Sequence, residues 1–199
     1  MKICIAISVY DAFEDVIISA SLIRNNWNHD NELFIIAGLS KPNTIDKIDF
    51  NLIDCAIDIP TPNTKYLEND DGGDNSPAAR SSRVLNSMYL TGKRAIEENC
   101  DYIFYLNAGS WILQMNQFEM LINELDGRTF AVRIANRLKY LIVDDHFLLV
   151  NLKKAVTYGV YDIDYNSRPF NPVAMSINEI HGMLYSWIST VPYGEVFVY

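Results

Sequence analysis

The chain is poor in cysteine, in positive charge and in long apolar runs, and each shortage removes a class of protein. Its 3 cysteines, Cys4, Cys55 and Cys100, are odd in number and have no CxxC spacing. Each borders or sits within an apolar segment, so buried free thiols are expected rather than a disulfide framework or a zinc site. Only 16 Lys and Arg stand against 25 Asp and Glu, a formal net charge of −9. A polyanion needs a broad basic surface, so nucleic acid is not an expected partner, although one small basic pocket is compatible with this balance. No apolar run reaches the roughly 18 residues that span a membrane, and Met1-Lys2-Ile3-Cys4 enters an apolar segment without a signal peptide's cleavage site. A soluble, cytoplasmic protein is the expectation. Internal repeats, low-complexity tracts and linkers are also missing, which leaves 1–199 as a single domain.

What is present is an ordinary globular balance, 49% hydrophobic and 21% charged over 199 residues, enough for a core of its own. Residues 3–9 form an unbroken run rich in Ile and Val, the pattern of a central strand covered on both faces. Phe13, Val16, Ile17, Ala20, Ile23 and Trp27 recur at helical spacing. Residues 33–38 and 55–59 read as two further strands, the second stopped by Pro60 and Pro62. Strand, helix, strand opens a parallel sheet. Residues 66–76, with Asp70, Asp71, Gly72, Gly73 and Asp74, read as a surface loop and lack the spacing and final Glu of an EF-hand. Ser76 and Pro77 suit the cap and first turn of a long helix reaching about Asn99. A strand over 101–106 follows, then a short helix through Phe118, Leu121, Ile122 and Leu125 that Gly127 closes. Residues 130–134 and 139–143 read as a hairpin turning around Asn136 and Arg137, and 147–150 as a separate strand. Asn151 can cap a helix ending near Gly159, residues 176–190 carry a helical stripe, and 195–199 form a last strand.

This order resembles the glycosyltransferase-A fold of nucleotide-diphospho-sugar transferases, an α/β class with a mixed, mainly parallel sheet flanked by helices. The carrying segments are Lys2-Ile3-Cys4-Ile5-Ala6-Ile7-Ser8-Val9-Tyr10, the long helix with Arg80, Arg83, Gly92 and Ala95, and Asp101-Tyr102-Ile103-Phe104-Tyr105-Leu106-Asn107-Ala108-Gly109. The resemblance implies that Ser8, Val9 and Tyr10 form the nucleotide-binding turn, with Asp58 also at the nucleoside. Asn107-Ala108-Gly109 occupies the Asp-x-Asp place without either carboxylate, and Ser110 follows it toward the donor sugar. In that family paired carboxylates there hold Mn or Mg against the diphosphate; here those ligands are absent, which leaves three readings: no metal, Mn or Mg held by acids from elsewhere, or a fold kept without catalysis. Metal-independent relatives use cations instead, for which Arg80 and Arg83 are the candidates.

An inverting transfer also needs a carboxylate to take the acceptor's proton. Asp144 and Asp145 follow an apolar run and are expected at a strand end, where such folds place ligands; the competing reading is a solvated turn. His146 can pair with either acid. His181 is a weaker candidate beside the stripe of Ile180, Met183, Leu184 and Trp187, while Glu179 fits a capping box from Ser176. Tyr10 and Tyr66 are candidates to stack on the base or sugar. The implied partners are a nucleotide-diphospho-sugar donor and a glycan or other hydroxyl acceptor. The alternative is a non-catalytic member of the fold that binds a sugar nucleotide or a protein. A nucleotidyltransferase ranks third, because no Gly-rich activating loop with Arg and Lys follows the first strand.

Overall fold

The computed structural model describes residues 1–28, 30–60, 77–112, 114, 116–137, 140–162 and 187–199, of which 77–82, 135–137 and 140–146 are described as backbone. Among them a seven-stranded sheet runs in the order β3-β2-β1-β4-β6-β5-β7. Strands β1 (Lys2–Val9), β2 (Glu32–Leu39), β3 (Cys55–Asp58) and β4 (Tyr102–Asn107) are mutually parallel. β6 (Tyr140–Asn151) reverses against β4 and β5 (Phe130–Arg137), and β7 (Val196–Val198) runs parallel to β5.

The unbroken apolar run of β1 is explained by its central position. Cys4 and Ala6 face one core, and Ile5, Ile7 and Val9 face the other, as the two-residue period of a strand requires. Helices α1 (Phe13–Asn26) and α3 (Asn116–Leu125) supply the second core through Val16, Ala20, Ile23, Phe118 and Leu125. Helix α2 (Pro77–Glu97) covers the first core with Leu85, Met88 and Ala95.

Small residues let α2 lie close to the sheet. A Cβ on Gly38 would stand 2.2 Å from Ser87 Oγ, and one on Gly92 would stand 2.1 Å from Cε1 of Tyr161. Below Gly92 the hydroxyls of Tyr105 and Tyr161 share a hydrogen bond of 2.7 Å, and Tyr105 also donates to the carbonyl of Met88 at 2.9 Å. Burial pushes both phenols well above their ordinary pKa, so they stay neutral. Trp187 packs edge-on against Tyr105, Phe130 and Tyr161 and donates its indole N–H to Val160 O. At the other end of the chain, Asn151 caps α4 (Leu152–Thr157) by accepting from the Lys154 N–H at 3.2 Å, and Gly159 takes a left-handed φ of 65°.

Two expectations from the sequence are corrected in the region of β5 and β6. Asn136 and Arg137 belong to β5, paired with Leu141 and Tyr140, so neither is the hairpin turn. The predicted strands 139–143 and 147–150 are one strand, β6, and Asp144, Asp145 and His146 are part of it rather than at a strand end or in a solvated turn. The apolar pattern breaks because the ladder shifts there. Val132 pairs with Leu148 and Ile134 with Val143, so Arg133 alone stands opposite Asp144, Asp145, His146 and Phe147. This irregularity is a bulge in β6, a device that redirects side chains near sheet edges and sites.

Candidate functional site

Parallel β1, β2 and β4 finish on one edge of the sheet, which is where open α/β sheets gather ligand groups. Ser8 is paired with Gly38 on one side and Asn107 on the other. Because Gly38 has no side chain, Ser87 of α2 approaches and shares a 2.7 Å hydrogen bond with the Ser8 hydroxyl. A cavity of about 400 Å³ opens above this point, lined by Ser8, Val9, Tyr10, Asp11, Ser40, Arg83, Val84 and Asn107.

Arg83 dominates its electrostatics. The residue is only 5% exposed, and its guanidinium carbon lies 4.4 Å from the centre of the Tyr10 ring. Lys41 Nζ approaches the same ring at 6.0 Å. Among the described residues no carboxylate is ion-paired to Arg83. Stacking on a ring is worth up to about 2 kcal/mol for a desolvated cation, whereas burying a charge costs several kcal/mol. Among the described residues the Arg83 charge is therefore only partly offset; it shares the cavity lining with Asp11 and the hydroxyls of Ser8 and Ser40. Such a set suits an anion with several oxygens, and the planar guanidinium fork matches a phosphate in two-point contact.

The structure brings together Ser8, Val9, Tyr10, Arg83 and Asn107 of the residues expected from the sequence. Arg80 lies one turn earlier on α2. Ala108, Gly109 and Ser110 do not line the cavity: Ala108 is 6% exposed and packs into the core on the α3 side, and Ser110 is 8% exposed. Gly109 has no atom within 4 Å of where a Cβ would stand, so its backbone is open to close approach. Asp58 is exposed at the end of β3, outside the cavity lining. Asp144 and Asp145 sit in the β6 bulge, beyond Leu148, the partner of Tyr105 on β4, in the direction of the carboxyl edge. His181, Glu179, Tyr66 and the loop 66–76 lie outside the described residues.

Sequence reasoning missed Asp11, Ser40 and Val84 in the lining and Lys41 beside Tyr10. A signal for two of them existed, since Ser40 and Lys41 directly follow β2 on the same edge as Ser8.

The turn after β4 is a poor home for a divalent cation. Such an ion prefers carboxylate oxygens, and this turn offers the neutral carbonyl of Asn107 with Ala108 and Gly109. Among the described residues there is no group of three or more His, Cys, Asp or Glu arranged to hold a metal. The donor set of this turn does not fit a divalent ion.

No family model and no curated protein sequence matches this chain. Solved structures do match its fold, which is the glycosyltransferase-A-like α/β arrangement of nucleotide-diphospho-sugar transferases. A glycosyltransferase involved in the glycosylation of the major capsid of PBCV-1 is 10% identical, with a TM-score of 0.56 over 100% of this chain and 81% of that one. The glycosyltransferase GlyE of Streptococcus pneumoniae gives 13% and 0.55 over 98% of this chain, which spans only 44% of GlyE. A cytidylyltransferase from Leptospira borgpetersenii gives 12% and 0.54 over 100% of this chain and 76% of its own. Their differing activities mean that the shared fold does not by itself select a reaction.

Proposed function

We propose that the chain binds a nucleotide-diphospho-sugar at the carboxyl edge of β1, β2 and β4 and transfers the sugar to a hydroxyl of a glycan or other acceptor. The observation that supports this most is Arg83, a buried cation with no described acid partner, lining a cavity large enough for a nucleotide. In this reading the turn of Ser8, Val9 and Tyr10, with Asp58, holds the nucleoside. Arg83, with Arg80 one turn away, holds the diphosphate and stabilises the charge it gains on leaving. Asn107 holds the donor sugar through its side chain, and the open backbone at Gly109 lets the sugar come close. For an inverting transfer, the acceptor oxygen attacks the anomeric carbon as its proton passes to the Asp145 carboxylate. The bond from that carbon to the diphosphate oxygen breaks with its electron pair on the oxygen. Arg83 does the work that a metal ion does elsewhere, so the reaction proceeds without one. The protein works in the cytoplasm; no helix among the described residues is long and apolar enough to cross a membrane.

A second reading is a sugar-nucleotide-binding or protein-interaction member of the fold without catalysis, favoured by the missing carboxylates at Asn107-Ala108-Gly109. A thermal-shift series with UDP-, GDP-, CMP- and dTDP-linked sugars and CTP, in EDTA and in Mn, tests both. One donor at about a hundred times its Kd stabilises the fold by about 2.7 kcal/mol. A donor shift that persists in EDTA, followed by consumption of that donor with an acceptor, supports the transferase. A shift without consumption leaves the binding protein, a response to CTP alone points to nucleotidyl transfer, and no shift from any compound refutes the binding site.

A further inference from the structure

All three cysteines are free thiols, and two of them meet. At the end of α2 the chain turns through Asn99, which takes a left-handed φ of 58°, and the Cys100 N–H closes the turn on Ala95 O at 2.9 Å. Directly after it, Asp101 is tied to the start of β1 twice: its N–H donates to Lys2 O at 2.8 Å, and its carboxylate accepts the Lys2 N–H at 2.8 Å. These bonds hold Cys100 beside β1, where it packs into the same core as Cys4. The Cys4 thiol donates a hydrogen bond to Cys100 Sγ. Cys4 is 0% exposed and Cys100 7%, so solvent reaches only the second. Cys55 stands apart: it pairs with Ile36, which pairs with Ala6, so two strand spacings, about 10 Å, separate it from β1.

We propose that Cys4 and Cys100 form a peroxide-responsive thiol pair, in which hydrogen peroxide oxidises Cys100 and Cys4 converts the product to a disulfide joining β1 to the end of α2. Access and ionisation assign the two roles. Oxidation begins at a thiolate that the oxidant can reach. The hydrogen bond from Cys4 holds the Cys100 pKa below its ordinary 9.0, and the Lys2 ammonium helps, against burial and the carboxylates of Glu98 and Glu32. Burial pushes the Cys4 thiol up, so it keeps its proton. The Cys100 sulfur attacks one oxygen of the peroxide, and the O–O bond breaks with its electron pair on the other oxygen, which takes the proton that Cys100 gave up and leaves as water. Cys4 Sγ then attacks the Cys100 sulfur; the S–O bond breaks, and hydroxide leaves with the Cys4 proton as a second water. Two thiols lose two electrons, and one peroxide gains them. Cys55 lies beyond the roughly 7 Å between Cα atoms that a disulfide can bridge. The pair stands at the opposite end of β1 from Ser8 and Tyr10, so the inference does not rest on the proposed transferase.

Peptide mapping by mass spectrometry tests it, on folded protein treated with hydrogen peroxide under conditions that oxidise free cysteine and then alkylated. The expected result is a link between Cys4 and Cys100 within one chain, lighter than the reduced pair by two hydrogens and lost in dithiothreitol, with Cys55 alkylated. Cys4→Ala should stop the reaction at a Cys100 sulfenic acid that dimedone labels, and Cys100→Ala should slow oxidation of Cys4 by at least about tenfold, the effect of one unit of pKa on the thiolate fraction. Melting curves check that each variant is folded, and Cys4→Val or Cys100→Ser replaces one that is not. Three alkylated thiols after the treatment, a link that includes Cys55 or joins two chains, or dimedone on Cys4 in the unsubstituted protein overturns the proposal.

Discussion

Gly92 lies inside α2, where helix propensity alone makes Gly→Ala favourable by about 1 kcal/mol. The packing around it predicts the opposite sign. A Cβ there would stand 2.1 Å from Cε1 and 2.6 Å from Cζ of Tyr161, and 2.6 Å from the Tyr105 hydroxyl oxygen. Neither ring can step aside cheaply: the two are tied at 2.7 Å, and Tyr161 packs against Trp187 with ring centres 5.6 Å apart. Overpacking costs about 1–3 kcal/mol, and prising apart a buried hydroxyl pair adds about 1–2 kcal/mol. After subtracting the propensity gain, Gly92→Ala should destabilise the fold by about 1–4 kcal/mol. The middle of that range lowers Tm by roughly 5–10 °C for a chain of this size. Urea unfolding followed by far-UV circular dichroism measures it. Gly194→Ala, where no atom lies within 4 Å of the added carbon, is the control and should change stability by less than about 0.5 kcal/mol. Adding Tyr161→Leu to Gly92→Ala should give a loss smaller than the sum of the two single losses, because the clash partner is gone. A Gly92→Ala protein as stable as the parent, or more stable, would refute the argument that this glycine is needed for the close approach of α2.

Under the proposed reading, Arg83→Met should weaken donor binding by about 10- to 100-fold, the worth of a charged hydrogen bond, and calorimetry showing unchanged affinity removes Arg83 from the diphosphate site. Asp145→Asn should cut turnover by about 10²- to 10⁴-fold while the donor's thermal shift is retained; equal turnover excludes it as the base. Glu195 fastens the turn before β7 by accepting from Thr129 at 2.9 Å, Tyr158 at 3.0 Å and Lys154 at 3.2 Å. Burial pushes its carboxyl up, but these three bonds together outweigh burial and hold the pKa below its ordinary value of 4.5. The stability it adds is therefore complete above that value and lost as pH falls through the lower folded one. Glu195→Gln should cost about 1 kcal/mol at pH 7, and the gap between the two urea curves should close in acid well below pH 4.5. A gap that persists there means that the packing of Glu195, not its charge, matters.

Where local chemistry decides a structure, the sequence was easy to read. The run over 3–9 is apolar without alternation because both faces of β1 are covered, and Asn151 and Gly159 carry their capping roles in their own side chain and backbone. β6 was hidden because Asp144, Asp145 and His146 interrupt its apolar pattern, and only the pairing with β5 reveals that they are the extra residues of a bulge. The same distinction holds at the site. Ser8, Tyr10, Arg83 and Asn107 were candidates from the fold resemblance, and the structure gathers them because β1 and β4 end on one edge beneath α2. Ala108 was a candidate too and is not gathered, because its facing depends on strand phase: Asn107 lies on the side of Tyr105 and α2, Ala108 on the side of Leu106 and α3. Counting by two from the buried residues of β4 separates them, once those residues have been assigned to their cores.

The two unusual features of the cleft, a turn without acids and a buried cation with no ion-paired acid among the described residues, are one arrangement viewed from opposite sides. Two carboxylates beside a divalent ion sum to no net charge, and a diphosphate can approach them only while the ion is bound. Carboxylates at Asn107 and Gly109 without an ion would instead pair with Arg83 and repel the phosphates, since unit charges 4 Å apart still interact by about 4 kcal/mol near a protein surface. Under the proposed reading, neutral side chains in that turn leave the Arg83 charge for a ligand to use. Restoring acids to this turn without restoring a metal site should therefore weaken anion binding, whereas in a cleft organised around a bound ion the same acids strengthen it.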